Sequence, residues 1–108
     1  MSLVAPDVAS DPCVVIEVGG SAPLAERLGA AFAQARDAEL GENGCVIFHV
    51  HGDEAERAGV TGLARTLALE WAGRGIRVNV IGGDRPDDLI RFISSPASRM
   101  LTGAVLDA

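Results

Sequence analysis

The sequence predicts an α/β fold: a three-layer, Rossmann-like arrangement around a four-stranded parallel sheet in the order βαβαβαβ. Three observations predict it. Short β-branched apolar runs recur at Cys13–Val18, Cys45–Val50 and Ile76–Ile81. Stretches of helical periodicity separate them, and glycine-rich turns ("GGS", "GENG", "GRG") mark the junctions. Alternation of this kind lays the strands side by side in parallel, with right-handed crossovers and helices against the sheet faces.

The first run, "CVVIEV", is closed by "GGS" and reads as a buried strand. Ser21 is placed to cap the next helix, with Pro23 in a first turn whose amides lack partners in any case. That helix is expected over Ala22–Leu40, with Leu24, Leu28, Phe32 and Ala35 as its apolar stripe. Gly41 and "ENG" then stop the helix and turn the chain into the second strand, Cys45–Val50.

The longest helix is expected over Glu54–Ala72, burying Val60, Leu63, Leu67 and Trp71. Glu70 and Arg74 stand four apart in the favourable order. Gly59 and Gly62 cost about 1 kcal/mol each relative to alanine inside a helix. With Ala55 and Thr66 they form a narrow face that suits the close approach of another helix. Gly73 and Gly75 end the helix, and Ile76–Ile81 alternates as the third strand. Asp84 is placed to cap a short helix with Pro86 in its first turn, ending near Ser94. "TGAVLDA" closes the chain as a fourth strand.

The chain has 108 residues, of which 48% are hydrophobic. It is read as one domain over residues 12–108 behind a disordered tail at residues 1–11, too short for a complete dinucleotide fold with a substrate region. A net charge of −6 argues against nucleic acid and anionic membrane as partners. No apolar run approaches the ~20 residues of a membrane span, and "MSLVAPDVASD" lacks the apolar core of a secretory signal. The two cysteines, Cys13 and Cys45, each open an apolar strand and are expected as buried free thiols in a cytoplasmic protein.

Two stretches carry a family resemblance. "GLARTLALEWAGRGIRVNVI" and "DDLIRFISSPASRMLTGAVLDA" resemble the C-terminal half of the short-chain dehydrogenase/reductase family, nearest its 3-oxoacyl-carrier-protein reductase branch. The first matches the helix and strand that follow the catalytic residues there, and the second matches the closing segment. The region Cys13–Val50 fits less closely, as the family's fourth strand, fourth helix and fifth strand. The resemblance implies an NAD(P)-dependent oxidoreductase ancestry. It also implies a dimer in which the helices matching Ala22–Leu40 and Glu54–Ala72 form a four-helix bundle.

The catalytic positions depart from the family. The resemblance puts its tyrosine at Asp53 and its lysine at Arg57, and the chain contains no tyrosine at all. A carboxyl with an ordinary pKa near ~3.9 is ionised at neutral pH and has no proton to donate to an alkoxide. His51 and Gly52 stand where the catalytic serine is expected. Gly82, Gly83 and Asp84 replace the Pro-Gly pair that packs on nicotinamide. "VGGSAPLAERLG" carries Pro23 and Ala25 where a dinucleotide loop needs glycines. No catalytic residue, cofactor-binding residue or cofactor is therefore assigned.

One constellation points elsewhere. On a strand His49 and His51 share a face, they stand at its C-terminal end, and Asp53 follows. His-x-His-x-Asp is a spacing that zinc hydrolases use, yet the plainer reading is a strand end entering a polar loop with its histidines hydrogen-bonded or solvated, and no further histidine exists. No metal is assigned on sequence grounds. The expectation is a non-catalytic, short-chain-dehydrogenase-like structural or oligomerisation module. It would assemble as a homodimer or homotetramer, or with a full-length reductase. The alternatives are an oxidoreductase component completed by a partner subunit, and a small metal-dependent hydrolase using His49, His51 and Asp53.

Overall fold

A computed structural model describes residues 13–108; the tail expected at residues 1–11 lies outside them. The strands are β1 (Cys13–Val18), β2 (Cys45–Val50), β3 (Arg77–Gly82) and β4 (Val105–Asp107). The helices are α1 (Leu24–Asp37), α2 (Glu54–Glu70) and α3 (Asp87–Ile93), with 3-10 turns at Ala72–Arg74 and Pro96–Ser98. The strands form one parallel sheet in the order β1-β2-β3-β4. The predicted fold class and element order are those observed.

Alternation along the strands divides the interior in two. Ile16, Val18, Val46, Phe48, Val50, Val78 and Val80 point to one face and pack under α1 and α2. Cys45, Ile47 and Ile81 point to the other face and pack under α3 through Ile93. Two helices on one face and one on the other make the three layers. Because β4 continues the sheet in the same direction while α3 crosses on the opposite face, the third crossover has the opposite hand from the first two. A uniform right-handed set was the expectation, and the short α3 overrides it by covering apolar surface that would otherwise meet water.

Local chemistry sets the helix limits. Asp53 caps α2, its side chain accepting the Glu56 amide at 3.0 Å. Within α2, Val60, Ala64 and Leu67 are buried, while Leu63 and Trp71 pack against the same core from half-buried positions. Burying a side chain such as Leu67 contributes about 1.5–3 kcal/mol. Gly75, at φ 71°, makes the left-handed stop that turns the chain into β3. Arg74, expected to pair with Glu70, donates to the Leu40 carbonyl at 3.4 Å.

Four further expectations are corrected. Ser21 does not cap α1; Pro23 occupies the cap position without a side-chain bond, and α1 ends at Asp37 because Ala38 turns extended and delivers Leu40 to the core. Asp84 does not cap α3, which begins after Pro86. The cysteines are not free: Cys13 and Cys45 face each other in register and form a disulfide with Cα atoms 4.5 Å apart. With that pairing, the cysteine argument for a reducing compartment falls away. None of the described helices is long and apolar enough to cross a membrane.

Candidate functional site

The parallel register builds rows of side chains across the α3-bearing face. Cys13, Cys45 and Arg77 form the row nearest the strand starts, Val15, Ile47 and Asn79 the next, and Glu17, His49 and Ile81 the last. The last row lies at the C-terminal ends of the strands, where open α/β sheets place their sites. His51, two residues beyond His49, shares its face as the strand alternation requires.

Glu17 gathers both histidines. His49 Nδ1 lies 2.8 Å from Glu17 Oε1, and His51 Nε2 contacts the same oxygen. The two rings meet edge to face, with centroids 4.1 Å apart. His49 is buried, and its Nε2 lies 2.7 Å from the Gly83 carbonyl oxygen. A carbonyl only accepts, so that nitrogen carries the proton and orients the ring. Partial burial pushes the Glu17 carboxyl up, but hydrogen bonds from His51 and His49 and the charge on both rings outweigh it. The group is held below the ordinary carboxylate value.

The sequence-derived trio of His49, His51 and Asp53 is thus corrected in one member. Asp53 turns away to cap α2, and Glu17, from the neighbouring strand, takes its place beside the imidazoles. Arg57, at the lysine position implied by the resemblance, reaches across to Asp107 on β4 with Nη1–Oδ1 2.6 Å. Both positions carry structural roles: one starts a helix and the other ties α2 to the end of the sheet.

A cavity of about 200 Å³ opens between these groups, lined by His51, Gly52, Arg57, Gly82 and Gly83 among others. Pockets that enclose a drug-sized ligand run from about 300 Å³ upward, so this one suits a smaller guest than a dinucleotide. Its floor is crowded. A Cβ at Gly52 would collide with the Glu56 carboxylate, and one at Gly82 with the Arg57 guanidinium.

Sequence reasoning passed over Glu17, Arg27 and Glu56. Arg27 Nη1 binds Glu56 Oε1 at 2.7 Å, and Glu56 is wholly buried. Residue type alone carries the signal here: Glu56 lies four before Val60, on the inward stripe of α2, where an acid requires a partner. Arg77 and Asn79, the polar members of the β3 alternation, are likewise buried rather than solvated.

The sequence matches no family model and no curated protein. Solved structures do match in fold. BdcA from E. coli superposes with a TM-score of 0.69 at 19% identity, covering 95% of this chain and 62% of that one. The enoyl-[acyl-carrier-protein] reductase (NADH) of Aquifex aeolicus gives 0.70 at 18% identity, covering 91% and 60%. A short-chain dehydrogenase/reductase of Serratia marcescens gives 0.65 at 15% identity, covering 89% and 63%. The chain has the α/β fold of these proteins and spans about three fifths of their length.

Proposed function

We propose that this chain is a non-catalytic, short-chain-dehydrogenase-like protein, related to 3-oxoacyl-carrier-protein reductases, that serves as a structural or oligomerisation module. One observation carries the reading. The residues at the resemblance's tyrosine and lysine positions are a helix cap, Asp53, and half of an ion pair, Arg57–Asp107. A carboxylate committed to a helix N-terminus supplies no proton to a substrate. At the lysine position the guanidinium of Arg57 is engaged by Asp107 at 2.6 Å.

The purified chain is expected to oxidise no NADPH or NADH with acetoacetyl thioesters. Asp53→Tyr with Arg57→Lys is expected to remain inactive, because it restores a proton donor without a hydride source. Turnover by the unmodified chain that disappears in Asp53→Ala would refute the reading. Turnover that arises only on mixing with a full-length reductase would favour the component reading instead.

Assembly is proposed through α2. Its outward face presents Ala55, Ala58, Gly62 and Thr66, with Leu69 81% exposed at the end of the same stripe. Small residues followed by a bare leucine suit a second copy of the helix. Gly59, expected on that face, instead receives Leu28 of α1, 2.9 Å from where its Cβ would lie. Gly59→Leu would therefore strain the monomer itself, whereas a Cβ at Gly62 meets nothing. Gly62→Arg is expected to shift a dimer or tetramer toward monomer in sedimentation at micromolar concentration, with the far-UV spectrum unchanged. A monomeric parent protein with no response to Gly62→Arg would refute self-assembly.

A further inference from the structure

We propose that Glu17, His49 and His51 form a binding site for one divalent transition-metal ion of the zinc type. The proposal is independent of whether the chain is catalytic. One ligand atom from each residue lies within 4.8 Å of the other two, on adjacent strands whose register is fixed by backbone pairing. Two imidazole nitrogens and one carboxylate oxygen match the donor preference of zinc, while Mg²⁺ and Ca²⁺ favour all-oxygen sets.

The hydrogen-bond arithmetic points the same way. His49 commits its Nε2 proton to the Gly83 carbonyl. In the neutral ring Nδ1 then directs a lone pair at Glu17 Oε1, 2.8 Å away, whereas in the protonated ring it donates a hydrogen bond there; His51 Nε2 contacts that oxygen too. Lone pairs so close require an electrophile among them, either extra protons or a cation. Metal-bound histidines commonly donate their second ring proton to a backbone carbonyl, which fixes tautomer and orientation. His49 has that geometry already, on a buried strand.

The remaining side of the site faces water. The Glu17 and His51 side chains are 60% and 47% exposed, so solvent can enter and supply a fourth ligand. Rotation of these two exposed side chains would widen the short contacts enough for an ion to sit about 2.0–2.2 Å from each ligand atom, with His49 in place. An ion here would clasp β1 to β2 at their C-terminal ends, as Cys13–Cys45 does at their N-terminal ends. Among the described strands β1 pairs only with β2, so the clasp would secure an edge.

The test is competition for Zn²⁺ against a chromophoric chelator, on tag-free protein without reductant near neutral pH. One ion per chain is expected. Glu17→Gln and His51→Gln, both at exposed positions where the fold tolerates change, should each weaken binding by at least ~10-fold. His49→Gln should weaken it further. Zinc should also raise the thermal midpoint of the parent protein and leave that of Glu17→Gln with His51→Gln unmoved, and excess Mg²⁺ should not compete. No binding by the parent protein would overturn the proposal and assign the cluster to bound protons. Binding that survives Glu17→Gln with His51→Gln, or that disappears only in Cys13→Ser with Cys45→Ser, would overturn it as well.

Discussion

Arg27→Met is expected to lower the free energy of unfolding by about 3 kcal/mol, the lower end of the range for breaking a buried ion pair. Glu56 has no exposed surface, and its Oε1 is bound by Arg27 Nη1 at 2.7 Å. Its Oε2 has no hydrogen-bond partner among the described residues. Removing Arg27 would strand a carboxylate in the wall between α1 and α2, close against Gly52. The Arg27 side chain is 20% exposed, so water screens part of the attraction, and the larger values in the range do not apply. Arg27 Nε also donates to the Ala22 carbonyl at 2.7 Å, holding the turn that leads into α1. Urea denaturation should show the loss as a lower midpoint with an unchanged slope. Replacing both partners, Arg27→Met with Glu56→Leu, should recover most of it, because an apolar pair of similar volume carries no desolvation cost. A double variant as unstable as the single one would show that side-chain shape, not charge, governs the contact.

This pair also shows what the sequence conceals. The fold class was legible because β-branched runs and helical stripes differ in period, and glycines stand at the junctions. His49 and His51 were legible as a pair because a two-residue spacing on a strand is a statement about one face. Glu17 was not, since it meets His49 across 32 positions of sequence, and parallel register cannot be read from either strand alone. The same gap hid the Cys13–Cys45 pairing. Asp53 misled for a different reason: a short acid beside a helix start satisfies both a ligand pattern and a cap, and here the unpaired amides of α2 claim it. The hand of the third crossover depends on which face remains bare, and packing decides that.

The β3 alternation carries the second large effect. Arg77 and Asn79 are the polar members of the β3 alternation, and both are buried. Arg77 donates from Nη2 to the Ile93 carbonyl at 2.9 Å, and from Nη1 to the Ser98 carbonyl at 2.9 Å and the Ser98 hydroxyl at 3.2 Å. Ser98 Oγ in turn donates to Ile93 at 2.7 Å. Asn79 adds Nδ2 to the Leu101 carbonyl and accepts the Ala104 amide, each at 3.0 Å. Together they collect the backbone groups left over where α3 ends and the chain returns to β4. Arg77→Met should therefore cost about 2–4 kcal/mol, because hydrogen bonds to a charged group contribute roughly 1.5–3 each and the abandoned carbonyls stay buried. Arg77→Lys should not rescue it, since a single ammonium cannot reproduce a planar fork that spans two separate carbonyls. Ser98→Ala, which removes one hydroxyl, should cost about 1 kcal/mol. Hydrogen exchange locates the damage. Amides of α3, residues 94–104 and β4 should lose protection first, while β1, β2, α1 and α2 retain theirs, because the two apolar clusters lie on opposite faces of the sheet. Uniform loss of protection across the chain would instead show Arg77 holding the sheet itself, with the closing segment docked by its apolar side chains alone.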